Sequence, residues 1–246
     1  METNILRTRI YYEVLNKNIS QTPVVFLHGW GGSIKSFEYF ANKISMLRTC
    51  ILIDFPPFGG SSSPKGVWTL DDYTFVVEKI LLDLGFNSCD IVAHSFGGRV
   101  AINIASRNNI RINKLLLTAS AGIKKKSLKR DFKILRYKIL KSLCKLKLLN
   151  SKRLLNQGSC DYNALSSDMK KTFSNIVNFD QRNDIKKINC PTLLFWGKRD
   201  KDTPFYFTKF YKKHIKDCEV IETNGGHFTY LEHSALFLLC MQSFLT

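Results

Sequence analysis

Short apolar runs alternate with amphipathic stretches along nearly the whole chain. Residues 8–15 (TRIYYEVL) alternate apolar and polar positions, as a strand with one solvated face does, whereas 23–28 (PVVFLH) and 50–55 (CILIDF) are continuous apolar runs suited to buried strands. Further strands are predicted at 88–93, 114–119, 191–197 and 218–222. Between them, apolar residues recur at helical spacing over 34–46, 70–85, 97–107 and 204–216, and near 234–245. The helix over 70–85 is the best signalled, with Asp71 and Asp72 in its first turn and Gly85 at its end. Strands alternating with helices predict an α/β fold with a mostly parallel central sheet and helices on both faces. A chain of 246 residues buries a sizeable core, so one domain spanning 1–246 is expected, with an insertion at 122–186 where the alternation lapses. In such sheets, ligands bind outside the carboxyl ends of the strands.

The chemistry-bearing residues fall at those ends. In DIVAHSFGGRVA (90–101) an apolar strand runs into Ser95 and then directly into a helix. A serine hydroxyl needs exposure on a sharp turn where a base can reach its proton, and this pattern is that of a nucleophile elbow. Ala93 and Gly97, two residues either side, are small enough for a crowded turn. Taken alone, the string fits an ordinary strand-to-helix turn equally well. The chain offers five histidines: His28, His94, His214, His227 and His233. His214 and His233 belong to helix-forming stretches, whereas His227 follows Gly225-Gly226 in a loop after a strand, where a general base is needed. For the acid that orients it, Asp200 lies three residues after Gly197 at a strand end. Asp202, beside Thr203-Pro204, is the competitor and fits equally as a helix cap. The HGWGGS turn at 28–33 lets the backbone pass close to a substrate carbonyl, so the N–H groups of Trp30 and Phe96 are the expected oxyanion donors. His28 reads as a buried turn residue.

The order HGWGG, DFPPFGGSS, AHSFGG, WGKRD and GGH resembles the α/β-hydrolase family over residues 28–227. The resemblance implies the α/β-hydrolase fold, a Ser95–His227–Asp200 triad with Trp30 and Phe96 as oxyanion donors, a structural Asp54, and a small helical cap at 122–186. It also implies acyl transfer to water, that is, cleavage of a carboxylic ester or thioester with no cofactor. Family members that cut carbon–carbon bonds usually carry Trp after the histidine, where this chain has Phe228, and those using an Asp nucleophile are excluded by Ser95. Pro57 stands where the family commonly has Gly. Within the family, HGWG, a short cap and cap-borne positive charge resemble the pimeloyl-acyl-carrier-protein methyl ester esterases.

Charge sharpens the question of partner. The net charge is +17, and residues 124–153 hold 13 Lys or Arg against one acid, Asp131. Leu128, Phe132, Leu135, Ile139, Leu143 and Leu146 recur there at spacings of three and four, predicting a basic amphipathic helix. That helix serves as a cap over an acyl pocket, as a recruiter of an acidic partner such as acyl carrier protein, or as a contact for an anionic membrane surface. Without further stacking aromatics, nucleic acid is not expected. Seven cysteines without metal-ligand spacing predict reduced core thiols, no metal site and a cytoplasmic location, and the N-terminal residues lack the pattern of a secretion signal. No run reaches the roughly 20 apolar residues of a membrane span.

Overall fold

A computed structural model describes residues 1–17, 22–124 and 165–245. The basic amphipathic stretch falls in 125–164, outside the described residues, together with Cys144 and Cys160.

The chain opens with β1 (Glu2–Ile5) and β2 (Thr8–Leu15), then β3 (Val24–Leu27), α1 (Glu38–Ile44) and β4 (Cys50–Ile53). Next come α2 (Leu70–Asp83), β5 (Ser88–His94), α3 (Phe96–Arg107) and β6 (Arg111–Thr118). After the undescribed stretch follow α4 (Ser167–Asn178), α5 (Arg182–Ile185), β7 (Thr192–Gly197), α6 (Thr208–His214), β8 (Cys218–Thr223), α7 (Thr229–Glu232) and α8 (Ser234–Leu245). The eight strands form one sheet in the order β1-β2-β4-β3-β5-β6-β7-β8. β1 and β2 are antiparallel to their neighbours, and the other pairings are parallel. This is the expected fold class.

Burial explains the strand patterns. Every residue of β3, β4 and β7 is buried, because helices cover both faces of a parallel sheet. The pleat divides each strand between two cores: Val25 and Leu27 join Ile91, Ala93, Leu115 and Leu117 on the face of α2 and α3, while Val24 and Phe26 join Phe37, Phe40, Phe195, Phe237 and Met241 on the other. α2 begins where the Asp72 carboxylate accepts the Thr69 N–H at 2.6 Å, and ends before Gly85 at φ +86°.

Several predicted bounds change. The stretch 34–46 divides into a 3-10 turn at Ile34–Ser36 and the short α1, and 204–216 divides likewise into Phe205–Phe207 and α6. β6 starts at Arg111, three residues early, its polar first half being only partly covered. β1, α4, α5 and α7 were not predicted individually: β1 and α7 are four residues long, and α4 and α5 lie in the segment 122–186, expected to be helical but with a helix located only in its basic stretch.

Two glycines set how closely the strands' ends approach. A Cβ on Gly97 would lie 2.1 Å from the Leu27 carbonyl oxygen, and one on Gly98 2.1 Å from the Ser120 hydroxyl, so α3 starts pressed against β3 and the end of β6. Ala93, by contrast, is fully buried with its methyl accommodated. Because the obstacle at Gly97 is backbone, Gly97→Ala is expected to destabilise the protein by about 3 kcal/mol. A thermal or urea melt against the wild type checks this, and an unchanged midpoint contradicts it.

Candidate active site

Parallel order reverses around β3: the chain steps from β3 outward to β4 on one side, then crosses to β5 on the other. The crevice at that reversal lies between the turn after β3 and the turn after β5, a favoured place for ligands in such sheets. The two turns are HGWGG and the Ser95 elbow.

Ser95 caps α3 at φ 50°, ψ −108°, a conformation that non-glycine residues seldom hold. Its backbone is tied on both sides: the Ser95 N–H donates to the Thr118 carbonyl at 3.2 Å, and its own carbonyl accepts the Ala121 N–H at 3.0 Å. The hydroxyl is thereby held at the mouth of a cavity of about 410 Å³ that Trp30, Phe96, Thr203 and His227 also line. Phe96 is the first residue of α3, so its N–H has no acceptor within the helix. Gly29 packs beside the elbow, a Cβ there falling 3.4 Å from the Ser95 Cβ, which brings the backbone entering Trp30 close to the serine.

His227 reaches Ser95 because two loops lock together. A Cβ on Gly197 would lie 2.3 Å from the Gly225 carbonyl oxygen, and the Arg199 N–H donates to that same carbonyl at 3.0 Å. The loop after β7 therefore lies on the loop after β8. His227 Nε2 lies 3.0 Å from the Ser95 hydroxyl oxygen, and its Nδ1 lies 2.9 Å from Asp200 Oδ2. With Asp200 accepting, the proton of a neutral His227 sits on Nδ1 and Nε2 is left as acceptor.

Asp200 is 5% exposed, and burial by itself pushes its carboxyl pKa up. Hydrogen bonds from His227 and Thr203 outweigh that and leave it below the ordinary carboxylate value. Oδ1 accepts the N–H groups of Asp202 and Thr203 at 2.8 and 2.9 Å, and the Thr203 hydroxyl donates to Oδ2 at 2.7 Å. Asp202, the competing acid, is exposed, lines the cavity, and makes no side-chain cap for the turn at Phe205–Phe207. Ligand atoms of Asp200, Asp202 and His227 lie within 4.8 Å of one another, but Asp200 and His227 Nδ1 are committed to each other, as an acid–base pair is.

The remaining histidines divide as their surroundings dictate. His28 is buried, its Nε2 accepting the Phe55 N–H at 2.9 Å while Nδ1 lies 2.7 Å from the Gly29 carbonyl; burial lowers its pKa and it stays neutral. Asp54, 2% exposed, accepts the N–H groups of Ile34 and Gly60 at 2.6 and 2.7 Å, tying the turn after β3 to the loop after β4. That loop, where Pro57 replaces the usual Gly, has a cis Pro56–Pro57 bond and sets Phe58 against Trp30. His214 and His233 are half-buried within or beside helices, away from the serine.

Two contributors were missed by sequence reasoning. His94, directly before the serine, places Nε2 3.0 Å from the His227 carbonyl, and burial, with the positive charge His227 can carry, pushes its pKa down to about 3. It is a permanent neutral donor that fixes the backbone of His227. Its position at the buried end of the strand feeding the elbow was the available signal. Thr203, three residues after Asp200, was read only as the neighbour of the competing Asp202; its hydroxyl reaches Asp200 locally and the Ala119 carbonyl across 84 residues of chain.

The described cysteines are buried or half-buried and free, and burial raises the thiol pKa of Cys50, Cys89, Cys190 and Cys218. No helix among the described residues is long and apolar enough to cross a membrane.

Comparison with known proteins identifies the family of this fold. The family profile described as alpha/beta hydrolase fold matches residues 22–234. An AB hydrolase superfamily protein of Bacillus subtilis is 26% identical, with 85% of this chain and 86% of the relative aligned. A pimeloyl-[acyl-carrier protein] methyl ester esterase of Legionella pneumophila is 24% identical over 94% of this chain and 98% of its own. Among solved structures, an enol-lactonase from Burkholderia xenovorans superposes with a TM-score of 0.78 at 16% identity, covering 100% of this chain and 99% of the other. The chain belongs to the α/β-hydrolase fold family and is an enzyme of the hydrolase type.

Proposed function

We propose that the protein is a serine hydrolase that cleaves carboxylic esters or thioesters through an acyl-enzyme, with Ser95 as nucleophile, His227 as base and Asp200 as the acid that orients it. The observation that carries this reading is the unbroken run of hydrogen-bond distances, 3.0 Å from Ser95 to His227 and 2.9 Å from His227 to Asp200. His227 Nε2 takes the hydroxyl proton as Ser95 attacks the acyl carbon. The N–H groups of Trp30 and Phe96 receive the tetrahedral oxygen. The imidazolium formed returns its proton to the leaving group, and water activated by the same ring releases the acid. An ionised Asp200 favours the imidazolium, which is why its depressed pKa suits the role.

Substrate class is supported less directly. Relatives that match over nearly their whole length are named as esterases of acyl-carrier-linked methyl esters. The basic stretch 124–153 is complementary to an acidic carrier protein. We therefore infer an acyl ester, with carrier-linked esters the first to try. The segment 122–186 acts as the cap, since Phe173, Ile176 and Val177 of α4 already line the cavity. A protein that keeps this fold only to bind an anionic partner would have no use for the relay.

With p-nitrophenyl acetate and butyrate, Ser95→Ala is expected to remove hydrolysis above background, and equal release by wild type and variant overturns the enzyme reading. Asp200→Asn, which leaves the imidazole in the wrong tautomer, is expected to lower kcat by about 10³ to 10⁴-fold. Asp202→Asn is expected to change it by less than about threefold; the reverse order would transfer the acid to Asp202. For pH, a carboxyl whose folded pKa is depressed stabilises the fold above its unfolded value of about 3.9, and that contribution is lost as pH falls through the folded value. The stability gap between wild type and Asp200→Asn should therefore narrow as urea melts are taken from pH 6 towards pH 3. A gap that widens on acidification contradicts the lowered pKa.

A further inference from the structure

α3 carries a second polar group into the cavity. Arg99 follows Ser95 by four residues, one helical turn and roughly 6 Å along the axis, so both fall on one face of α3. Both line the same cavity. Arg99 is 5% exposed. Among the described residues its guanidinium makes one side-chain hydrogen bond, Nη1 donating to the Phe179 carbonyl at 2.7 Å, and no ion pair. Asp180, the adjacent acid, is bridged to Arg182 at 3.4 Å. Residues 125–164 supply few counter-ions, holding twelve Lys or Arg and only Asp131 and Asp161.

Burial holds the Arg99 pKa down to about 10, so the group remains a cation at neutral pH. Asp180 attracts the guanidinium without pairing to it, and burial outweighs that attraction, so the cation is costly to keep there, and a neutral donor such as Gln would serve the Phe179 carbonyl as well. Burial of a full charge beside the reacting serine therefore points to an anion that comes with the substrate. Lys124 lines the same cavity and adds to the positive wall.

Sign and direction then decide which half of the ester is charged. In the acyl-enzyme mechanism proposed above, on which this inference rests, His227 gives its proton to the leaving group, so the leaving group lies on the His227 side. Asp202 stands there, within 4.8 Å of His227, and repels an anionic alcohol or thiol. The acyl chain then takes the rest of the cavity, where Phe173, Ile176 and Val177 of α4 provide apolar surface; the hydrogen bond to the Phe179 carbonyl puts Arg99 at the end of α4, and Lys124 lines the same cavity. We propose that the site selects esters whose acyl chain ends in a carboxylate, the half-esters of short dicarboxylic acids, and that Arg99, assisted by Lys124, receives that carboxylate.

The test compares mono-p-nitrophenyl adipate with p-nitrophenyl hexanoate, equal in chain length and differing in the terminal charge. The wild type is expected to show the higher kcat/KM on the adipate half-ester. Arg99→Met should lower the adipate-to-hexanoate ratio by roughly 10- to 100-fold, and Arg99→Lys should keep part of it. The overall field of a +17 protein attracts any anion, but removing one of 37 cations barely alters that field, so a collapsed ratio is local. Adipate should also inhibit wild-type hydrolysis of the hexanoate ester more strongly than hexanoate does, a readout independent of how well the variants fold. Absence of wild-type preference, an unchanged ratio in Arg99→Met, or adipate binding no better than hexanoate would overturn the inference. Ser95-dependent hydrolysis of the neutral ester without such preference defeats only this inference. If neither ester is cleaved through Ser95, the acyl-enzyme reading itself fails.

Discussion

The close approach of β3 and β5 at their carboxyl ends is the constraint on which the site depends. Gly97 touches the Leu27 carbonyl, and that contact fixes where α3 begins relative to the turn after β3. Ser95 must then make the corner in one residue, at a positive φ that a free chain would avoid. Two hydrogen bonds, to Thr118 and from Ala121, hold it there. The strain is maintained by the buried central strands around it and raises a hydroxyl clear of the strand. The same approach brings the Phe96 N–H and the backbone at Gly29-Trp30 together, so the proposed nucleophile and the proposed oxyanion donors come from one packing contact.

The partners of Ser95 arrive through a second backbone contact, between Gly197 and Gly225. It joins the loops after β7 and β8, setting a carboxylate that is 5% exposed under an imidazole. Charge around this pair is strictly managed. Asp200 is kept ionised by four hydrogen bonds, while His28 and His94 are kept neutral by burial, so neither adds a positive charge beside His227, the proposed base. His94 uses its neutral ring to hold the backbone of His227 in place.

The cavity is lined by two cations, Arg99 and Lys124, and by Asp202, which lies within 4.8 Å of His227. Apolar side chains of Trp30 and α4 line it too, with Trp30 against Phe173. The proposed reaction needs only Ser95, His227 and Asp200. The two cations have the features of a selector, and basic character continues in the sequence of 124–153.

The order of strands and helices was legible in the sequence because each strand buried on both faces must be apolar throughout and each covering helix must be apolar on one side. Ser95, Asp200 and His227 were legible because each sits at a strand end beside glycines that only a tight turn requires. β1, α4, α5 and α7 were not, since β1 and α7 are only four residues long and α4 and α5 are held by contacts with distant parts of the chain. Between Asp200 and Asp202 the sequence left a choice, and the fold separates them: one is buried and saturated with donors, the other exposed. His94 and Arg99 acquired their surroundings only when parts of the chain far apart in sequence were brought side by side. Local pattern decides which residues turn, bury or cap, whereas the charge state and partners of a side chain depend on what lies opposite it, and that is decided by the tertiary structure.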